Sequence, residues 1–357
     1  MCRVQGGKSC MDLNIGNQDR LKNRLRELAE KFHVTESELA SELARIHCED
    51  LMLLKRYPVD IDDTDSIEMK VIGVIGSETI GRGIAKIMAV RGVRVVMIGD
   101  SDRDVTQSME YMHCNLDWLI TKWELTETEK KLILQNIHAT SDFGKLTDVD
   151  IVFDTTRLTF DRKVALYQKL DHTISPCTIV AIDDETCPLE RISNAISQPD
   201  RLIGFHFVYP VSRRKIVEIT PIRTTSADVI RRMAGVSRFL EKEFVVLHET
   251  IGGISTRIMA PFINEAIRLW SEGCATAHEI DRVMRLSMNL PMGPLEYADT
   301  IGLDAIFQMM ESMWRFYGMP QFKPAERLGY MVRSGMLEKK DGQGFHSYKA
   351  SQIGEVL

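Results

Sequence analysis

The sequence predicts a doubly wound α/β fold with a mainly parallel sheet, followed by an all-helical C-terminal domain. Short apolar segments typical of strands alternate with helical segments from residue 71 to residue 247. The stretch Lys70–Asp100 runs strand, Gly-containing turn, helix, strand, which is the order of a βαβ unit. After Gly252-Gly253 the apolar residues follow the 3.6-residue period of helices.

Length and composition limit the classes of function. The chain has 357 residues, of which 44% are hydrophobic and 27% charged, as in a globular protein of two or three domains. A net charge of −6 predicts no nucleic-acid partner, and the longest apolar runs are too short to predict a membrane span. Seven scattered cysteines predict reduced thiols and no metal site. We therefore expect a cytoplasmic or mitochondrial protein that is not secreted.

The domain organisation follows from shifts in these patterns. The N-terminal apolar periodicity faintly resembles a helix-turn-helix, but without a basic recognition face a helical hairpin is the favoured interpretation. The acidic, apolar-poor stretch that follows is typical of a linker. The predicted segments are a helical extension over 1–57, an acidic linker over 58–68, a Rossmann-type nucleotide-binding domain over 69–249 and a helical domain over 250–357.

The elements can be placed along the chain from their apolar periods. Period-2 or continuous apolar runs predict strands at 71–75, 94–98, 136–139, 150–154, 178–182, 202–208, 214–220 and 243–247. Period-3.6 patterns predict helices between them at 80–91, 102–135, 161–171, 188–197 and 225–241. The same period predicts C-terminal helices at 254–273, 276–287, 294–318 and 323–335.

The turn after the first strand carries two of the three glycines of a dinucleotide-binding motif. Gly76 and Gly81 take the first and third positions of G-x-G-x-x-G, but Glu78 takes the middle one. Phosphate would bind the free N–H groups at the helix start, which include those of Thr79 and Ile80. Because like charges about 4 Å apart repel by roughly 1 kcal/mol in water and more at a protein surface, we expect Glu78 to weaken NAD binding.

An acid that could bind the adenosine ribose follows the second strand. In such folds an Asp or Glu closes this strand and hydrogen-bonds the ribose 2′-hydroxyl. The usual position holds Gly99, and Asp100 comes one residue later. Because no basic residue replaces the acid, the sequence predicts NAD rather than NADP.

A second group of candidate residues lies in a predicted strand pair. His206 is near the end of one strand, and a hairpin through Pro210–Arg214 would bring Glu218 beside it. A carboxylate on one imidazole nitrogen fixes the tautomer and leaves the other nitrogen to act as a base. Taken alone, such a pair on facing strands is more often a surface contact.

Four ordered blocks lie between Lys70 and Lys349. Gly204–Ile219 fits G-x-H-F-F-N-P-V-x-x-x-K-L-V-E-V, and Gly252–Ala266 fits G-F-I-x-N-R-L-L-x-P-Y-x-N-E-A. Pro291–Asp304 fits P-M-G-P-x-E-x-x-D-x-x-G-L-D, and Lys339–Phe345 contains K-x-G-x-G-F. With these blocks the chain resembles the L-3-hydroxyacyl-CoA dehydrogenase family, which includes 3-hydroxybutyryl-CoA dehydrogenases and lambda-crystallin relatives.

The resemblance implies NAD-dependent oxidation of the 3-hydroxyl of an acyl-CoA thioester, by a homodimer formed through the helical domain. His206 would be the general base, and Glu218 would orient it. Cys187 stands where the family has the serine that contacts the substrate oxygen. Thr256 stands where the family has the asparagine that polarises the thioester carbonyl. Asp154 stands where the family has the glutamate that ends the fourth strand at the cofactor site.

Two functions of different classes remain open from the sequence. The His206–Glu218 pair favours an active NAD-dependent oxidoreductase of fatty-acid β-oxidation type. The changes at Glu78, Cys187 and Thr256 favour a catalytically impaired or inactive homologue with a structural or interaction role. Oxidoreductase chemistry is the more concrete prediction, and we adopt it.

Overall fold

A computed structural model describes Thr35, residues 69–336 and residues 344–348 of the chain. Apart from Thr35, the predicted extension and linker over 1–68 lie outside the described residues. The elements below all belong to one of the two units into which the chain divides, Ile61–Leu357.

An eight-stranded sheet forms the centre of the first domain, with the order β3-β2-β1-β4-β5-β6-β7-β8. All neighbouring strands are parallel except the antiparallel pair β6–β7, which confirms the predicted mainly parallel sheet. The strand order reverses between β1 and β4, where the carboxyl ends of parallel strands leave a crevice. The strands are β1 (Val71–Ile75), β2 (Arg94–Ile98), β3 (Ile137–Thr140), β4 (Ile151–Asp154), β5 (Ile179–Ile182), β6 (Leu202–Phe207), β7 (Ile216–Pro221) and β8 (Glu243–Val246).

Helices cover the sheet, so its central strands are buried on both faces. Every residue of β4 and β5 is buried, as expected of parallel strands rich in Val, Ile and Phe. Phe153, Phe205 and Phe207 pack together in this core with ring centroids 5.1–5.9 Å apart. The helices are α1 (Thr79–Val90), α2 (Asp102–Thr121), α3 (Glu127–Gln135), α4 (Phe160–Thr173), α5 (Leu189–Ile192) and α6 (Ala227–Phe239).

The long helical region predicted over 102–135 is helical but not continuous, because the chain forms the two helices α2 and α3 there. The break follows from a capping box: the Thr126 side chain accepts from the Glu129 N–H, and the Glu129 carboxylate accepts from the Thr126 N–H. Trp123, between the two helices, is 94% exposed, and the backbone turns there with a φ of 61°.

The second domain is helical, as predicted, and packs around its own apolar core. The helix predicted over 294–318 is interrupted at Gly302, whose φ of 111° does not fit a helix. None of the helices that the structure describes is long and apolar enough to cross a membrane. The helices are α7 (Ser255–Ser271), α8 (Ala277–Met288), α9 (Pro294–Ile301), α10 (Leu303–Tyr317) and α11 (Glu326–Arg333).

The segment 344–348 is held against the helical domain by two buried carboxylates. Asp299 accepts hydrogen bonds from the N–H groups of Phe345 and His346 and from the Tyr348 hydroxyl, at 2.8–2.9 Å. The His346 Nε2 atom lies 2.7 Å from Asp281 on α8. These contacts connect the end of the described chain to α8 and α9.

Candidate active site

A cleft of about 480 Å³ extends from the carboxyl ends of the central strands to the helical domain. Its wall contains residues that follow β1, β2 and β4, including Gly76, Asp100 and Thr155. His206 of β6 and Thr256 of α7 line it as well. The cleft therefore lies at the reversal of strand order, where ligands of open α/β sheets bind.

The turn after β1 is as tight as a dinucleotide-binding turn. Gly76 has a φ of 100°, and its N–H donates to the carbonyl oxygen of Ile98 at 3.0 Å. A Cβ atom on Gly81 would lie only 1.9 Å from the Gly76 oxygen, so α1 can approach the turn only with glycine there. Both glycines that the sequence retains are required by the backbone.

Glu78 is the N-cap residue of α1, and its side chain is exposed at the cleft. Within the described part of the chain it makes no capping hydrogen bond, so it does not block the first N–H groups of α1, those of Thr79 and Ile80. These N–H groups can receive a pyrophosphate, and the exposed Asp100 lies in the same cleft to receive a ribose. The residues of this end of the cleft fit an NAD molecule.

Arg82 adds a positive charge to this end of the cleft. Its buried guanidinium donates to the carbonyl oxygen of Ser77 at 2.9 Å and lies 5.0 Å from the Tyr111 ring centroid. The Ser108 hydroxyl donates to the same oxygen at 2.7 Å. Arg82, which sequence reasoning missed, opposes the negative charge that Glu78 brings to the turn.

His206 is held through one ring nitrogen at the other end of the cleft. Its Nδ1 atom lies 2.9 Å from Oδ1 of Asp183, which follows β5. The same oxygen accepts the N–H of Phe207 at 2.9 Å, so Asp183 cannot turn away from the ring. Because a carboxylate only accepts, Nδ1 carries the hydrogen, and Nε2 is left to exchange a proton with a substrate.

A second carboxylate, that of Glu185, faces the same imidazole. Its Oε2 atom lies 3.3 Å from Nδ1 of His206 and 3.5 Å from the Arg157 guanidinium. Its Oε1 atom accepts the Thr256 hydroxyl at 3.0 Å. The Thr256 hydroxyl thus donates to Glu185 in this structure, and its predicted contact with a thioester carbonyl stays a prediction.

The pKa values of these groups follow from burial and charge. Burial disfavours the charged imidazole, but the carboxylates of Glu185, Asp183 and Glu218 outweigh it and raise the pKa of His206 to about 9. Burial also disfavours the Glu185 carboxylate, but Arg157 and His206 outweigh it and lower its pKa to about 2. Burial raises the pKa of Asp183, opposed by its hydrogen bond with His206.

Glu218 does not form the predicted hydrogen bond with His206. The two residues face each other in register across β6 and β7. The Glu218 carboxylate, however, accepts the N–H groups of Ile254 at 3.2 Å and Ser255 at 2.8 Å. It therefore stabilises the start of α7, where free N–H groups attract an anion, and acts on His206 through its charge alone.

Two further predicted site residues lie away from the cleft. Cys187 is buried and lines a separate cavity of about 20 Å³ that it shares with Glu218. Burial raises the pKa of its thiol well above the ordinary value, which makes it a poor donor to a substrate oxygen. Asp154 is fully buried and accepts from Lys163 at 2.7 Å and Tyr167 at 2.9 Å. Neither side chain lines the cleft, and their predicted roles at substrate and cofactor stay predictions.

Asp183, Glu185 and Arg157 are site residues that the sequence analysis missed. Their sequence signal was an acid-rich segment, Ile182-Asp183-Asp184-Glu185, directly after a buried strand. Residues at this edge of a parallel sheet face the ligand crevice. Within residues 69–336 and 344–348, no group of three or more His, Cys, Asp or Glu could hold a metal ion.

Comparison with known proteins yields two family models that together match most of the chain. Residues 71–250 match the 3-hydroxyacyl-CoA dehydrogenase NAD binding domain. Residues 252–348 match the 3-hydroxyacyl-CoA dehydrogenase C-terminal domain.

Individual relatives agree with these models. A probable 3-hydroxybutyryl-CoA dehydrogenase of Bacillus subtilis is 32% identical over 283 residues, which cover 79% of this chain and 99% of the relative. The structure of (S)-3-hydroxybutyryl-CoA dehydrogenase PaaH1 from Ralstonia eutropha is 33% identical, with a TM-score of 0.67 over 79% of this chain and all of that one. The structure of Mycobacterium tuberculosis FadB2 gives a TM-score of 0.73 at 27% identity, over 80% of this chain and all of that one.

Proposed function

We propose, since this chain belongs to the 3-hydroxyacyl-CoA dehydrogenase family, that it interconverts the 3-hydroxyl of an L-3-hydroxyacyl-CoA and the corresponding ketone with NAD. The observation that carries the proposal is the position of His206. Its imidazole lines the same cleft as the dinucleotide turn, and carboxylates hold its Nδ1 atom. Nε2 can then take the proton of a substrate hydroxyl or return it to an alkoxide.

The bound nicotinamide would accept a hydride from C3 of the substrate, or donate one to it in reverse. The turn at Gly76 and Gly81 would hold the pyrophosphate on the start of α1, and Asp100 would bind the ribose. Glu78 would weaken this binding through its charge. His206 moves the proton, so the oxidised and reduced substrates differ by one hydride and one proton.

The acyl-CoA thioester would lie against the helical side of the cleft. Met259 and Ile263 of α7 and Ile306 and Met309 of α10 give this wall an apolar surface that suits an acyl chain. His206 and the polar groups near it line the same cleft, and the 3-oxygen would be placed beside them.

A homodimer through the helical domain is part of the proposal. Helix α8 leaves three large apolar side chains exposed, Val283, Leu286 and Met288, and Leu286 is 76% exposed. Side chains at i and i+3 share one face of a helix, and a second copy of this domain would cover that face. We place the protein in the cytoplasm or in mitochondria.

The proposed activity is tested by following NADH loss with acetoacetyl-CoA. We expect turnover by the wild type and a fall of at least about 100-fold in His206→Ala, since general acid–base catalysis contributes about 10²–10⁴. Glu272→Gln, a change of an exposed acid that does not line the cleft, is the matched control. A wild type that neither binds NADH nor turns over, with Glu78→Gly active, would favour the inactive homologue instead.

A further inference from the structure

Two carboxylates converge on one imidazole nitrogen in this site. The Nδ1 atom of His206 is 2.9 Å from Asp183 and 3.3 Å from Glu185, and both acids come from the segment after β5. The side chains of Asp183 and Glu185 are 1% and 3% exposed, so water screens neither charge. Glu218 contributes a third negative charge from β7, although its hydrogen bonds go to α7.

We propose that Asp183 and Glu185 are positioning residues of His206 in addition to the charge of Glu218, and that they hold it as an imidazolium set to protonate a 3-ketoacyl thioester. The inference rests on the proposed function for its substrate. It goes beyond that function because it assigns roles to two further residues. It also predicts that the site without substrate is protonated for reduction and not for oxidation.

Asp183 fixes the ring because its own position is fixed twice. Its backbone N–H donates to the carbonyl oxygen of Asp154 at 2.8 Å, which keeps the segment after β5 against β4. Its Oδ1 atom accepts both the Phe207 N–H and the imidazole. These contacts hold the imidazole beside β6 and keep a hydrogen on its Nδ1 atom.

Glu185 keeps its negative charge because Arg157 and Thr256 stabilise it. The Arg157 guanidinium and the His206 ring both approach the Oε2 atom of Glu185, at 3.5 Å and 3.3 Å. The other nearby cation, Lys163 of α4, is paired with Asp154 and Asp184 and does not reach the imidazole. The groups that face His206 are therefore three anions, and the balance favours a positive ring.

A charged His206 ring already carries, on Nε2, the proton that reduction of the ketone needs. With a pKa of about 9, about one imidazole in a hundred is neutral at pH 7. In reduction the ketone carbon gains the hydride, its oxygen takes the proton from Nε2, and the ring is left neutral. Oxidation needs the neutral ring first, so it is limited by that small fraction until the pH approaches 9.

The test is the titration of His206 in the protein without substrates, observed by NMR of histidine labelled at Cε1 with ¹³C. The chain has 9 histidines, and His206→Gln assigns the signal. We expect a midpoint near pH 9, lowered by about one unit or more in Asp183→Asn and in Glu185→Gln. Glu218→Gln should lower it less, and the exposed control Glu272→Gln should leave it unchanged.

The titration of the wild type alone determines the charge state of His206, so this part of the test does not depend on whether a variant folds. A midpoint near the ordinary histidine pKa of about 6.5 overturns the proposal. A midpoint near 9 that neither Asp183→Asn nor Glu185→Gln moves overturns the assignment of these residues.

Kinetics then separates this inference from the proposed function. The kcat/KM for acetoacetyl-CoA reduction should be flat to about pH 8 and fall about tenfold per unit above 9, while oxidation of L-3-hydroxybutyryl-CoA rises tenfold per unit up to 9. A pH profile of kcat/KM that bends near pH 6.5 in both directions would contradict the raised pKa of His206. No turnover in either direction, with His206 titrating near 9, contradicts the proposed function and leaves the positioning roles supported.

Discussion

Glu78 and Arg82 bring opposite charges to the turn that would hold the cofactor. The Glu78 side chain is exposed, so water screens its repulsion of a pyrophosphate, and the buried Arg82 guanidinium donates into the turn beside it. A screened repulsion of about 1 kcal/mol corresponds to roughly fivefold in affinity, since 1.4 kcal/mol is tenfold. The expected weakening is therefore smaller than the turn sequence alone suggests.

The substitution Glu78→Gly should strengthen NADH binding by roughly five- to tenfold, because it removes the repulsion of the pyrophosphate. Glu78→Gln removes the charge but keeps the side chain, so it should recover most of this gain if repulsion is the cause. Titration of NADH fluorescence in the absence of substrate measures the dissociation constants directly. Equal affinities for wild type and both variants would show that Glu78 has no influence on the cofactor.

Individual site residues differ in how far the sequence could place them. Gly76 and Gly81 were identifiable because local backbone geometry demands them, and His206 because its motif block is long. The partners of His206 were not identifiable. Acids follow or end several strands, among them Asp100, Asp154 and Asp183. Which of these reaches the ring depends on sheet order and on the path of each loop, and local sequence encodes neither.

Among the helices and strands, ends that are set by local side-chain contacts could be predicted from the sequence, and ends that are set by tertiary packing could not. The capping box at Thr126 lies in the sequence, although the apolar period before it continues and hides the break. The position of α7 is a different case. Its first N–H groups lie against the Glu218 carboxylate of β7, a contact between residues 36 and 37 positions apart. That contact diverts Glu218 from His206.

The segment 344–348 should respond to pH through His346. The hydrogen bond with Asp281 raises the pKa of His346 despite partial burial. A raised pKa means that the stabilisation is complete below the unfolded pKa of about 6.5 and is lost as the pH rises through the folded value. We expect the difference in melting temperature between wild type and His346→Gln to be largest near pH 6 and to shrink towards pH 8.5.

The exposed histidine His172 provides the control for this prediction. His172→Gln should change the melting temperature little. A wild-type advantage over His346→Gln that stays constant or grows with rising pH would contradict the predicted charge on His346.

At the scale of the whole molecule, the alternation of strands and helices was sufficient to predict the fold class and the change to an all-helical domain. It could not predict the association of two chains, because exposed apolar residues become visible only when the helices are packed. We expect Leu286→Glu to convert a dimer into monomers, since a charge would be buried in the interface.

Sedimentation velocity or mass photometry measures the oligomeric state of this variant. The matched control is Leu132→Glu, which places the same charge on an exposed leucine of α3 in the nucleotide-binding domain. A Leu286→Glu protein that stays dimeric, or a wild type that is monomeric, would contradict an interface at this face of α8.

Hydride transfer to C3 of the substrate is tested most directly with deuterium-labelled NADH. Acetoacetyl-CoA is incubated with NADH carrying deuterium at both C4 positions, and the product is analysed by mass spectrometry and chiral separation. We expect one deuterium at C3 of L-3-hydroxybutyryl-CoA with the wild type, and transfer reduced by at least about 100-fold in His206→Ala. Unlabelled product, or labelled product formed equally well by His206→Ala, would contradict this expectation.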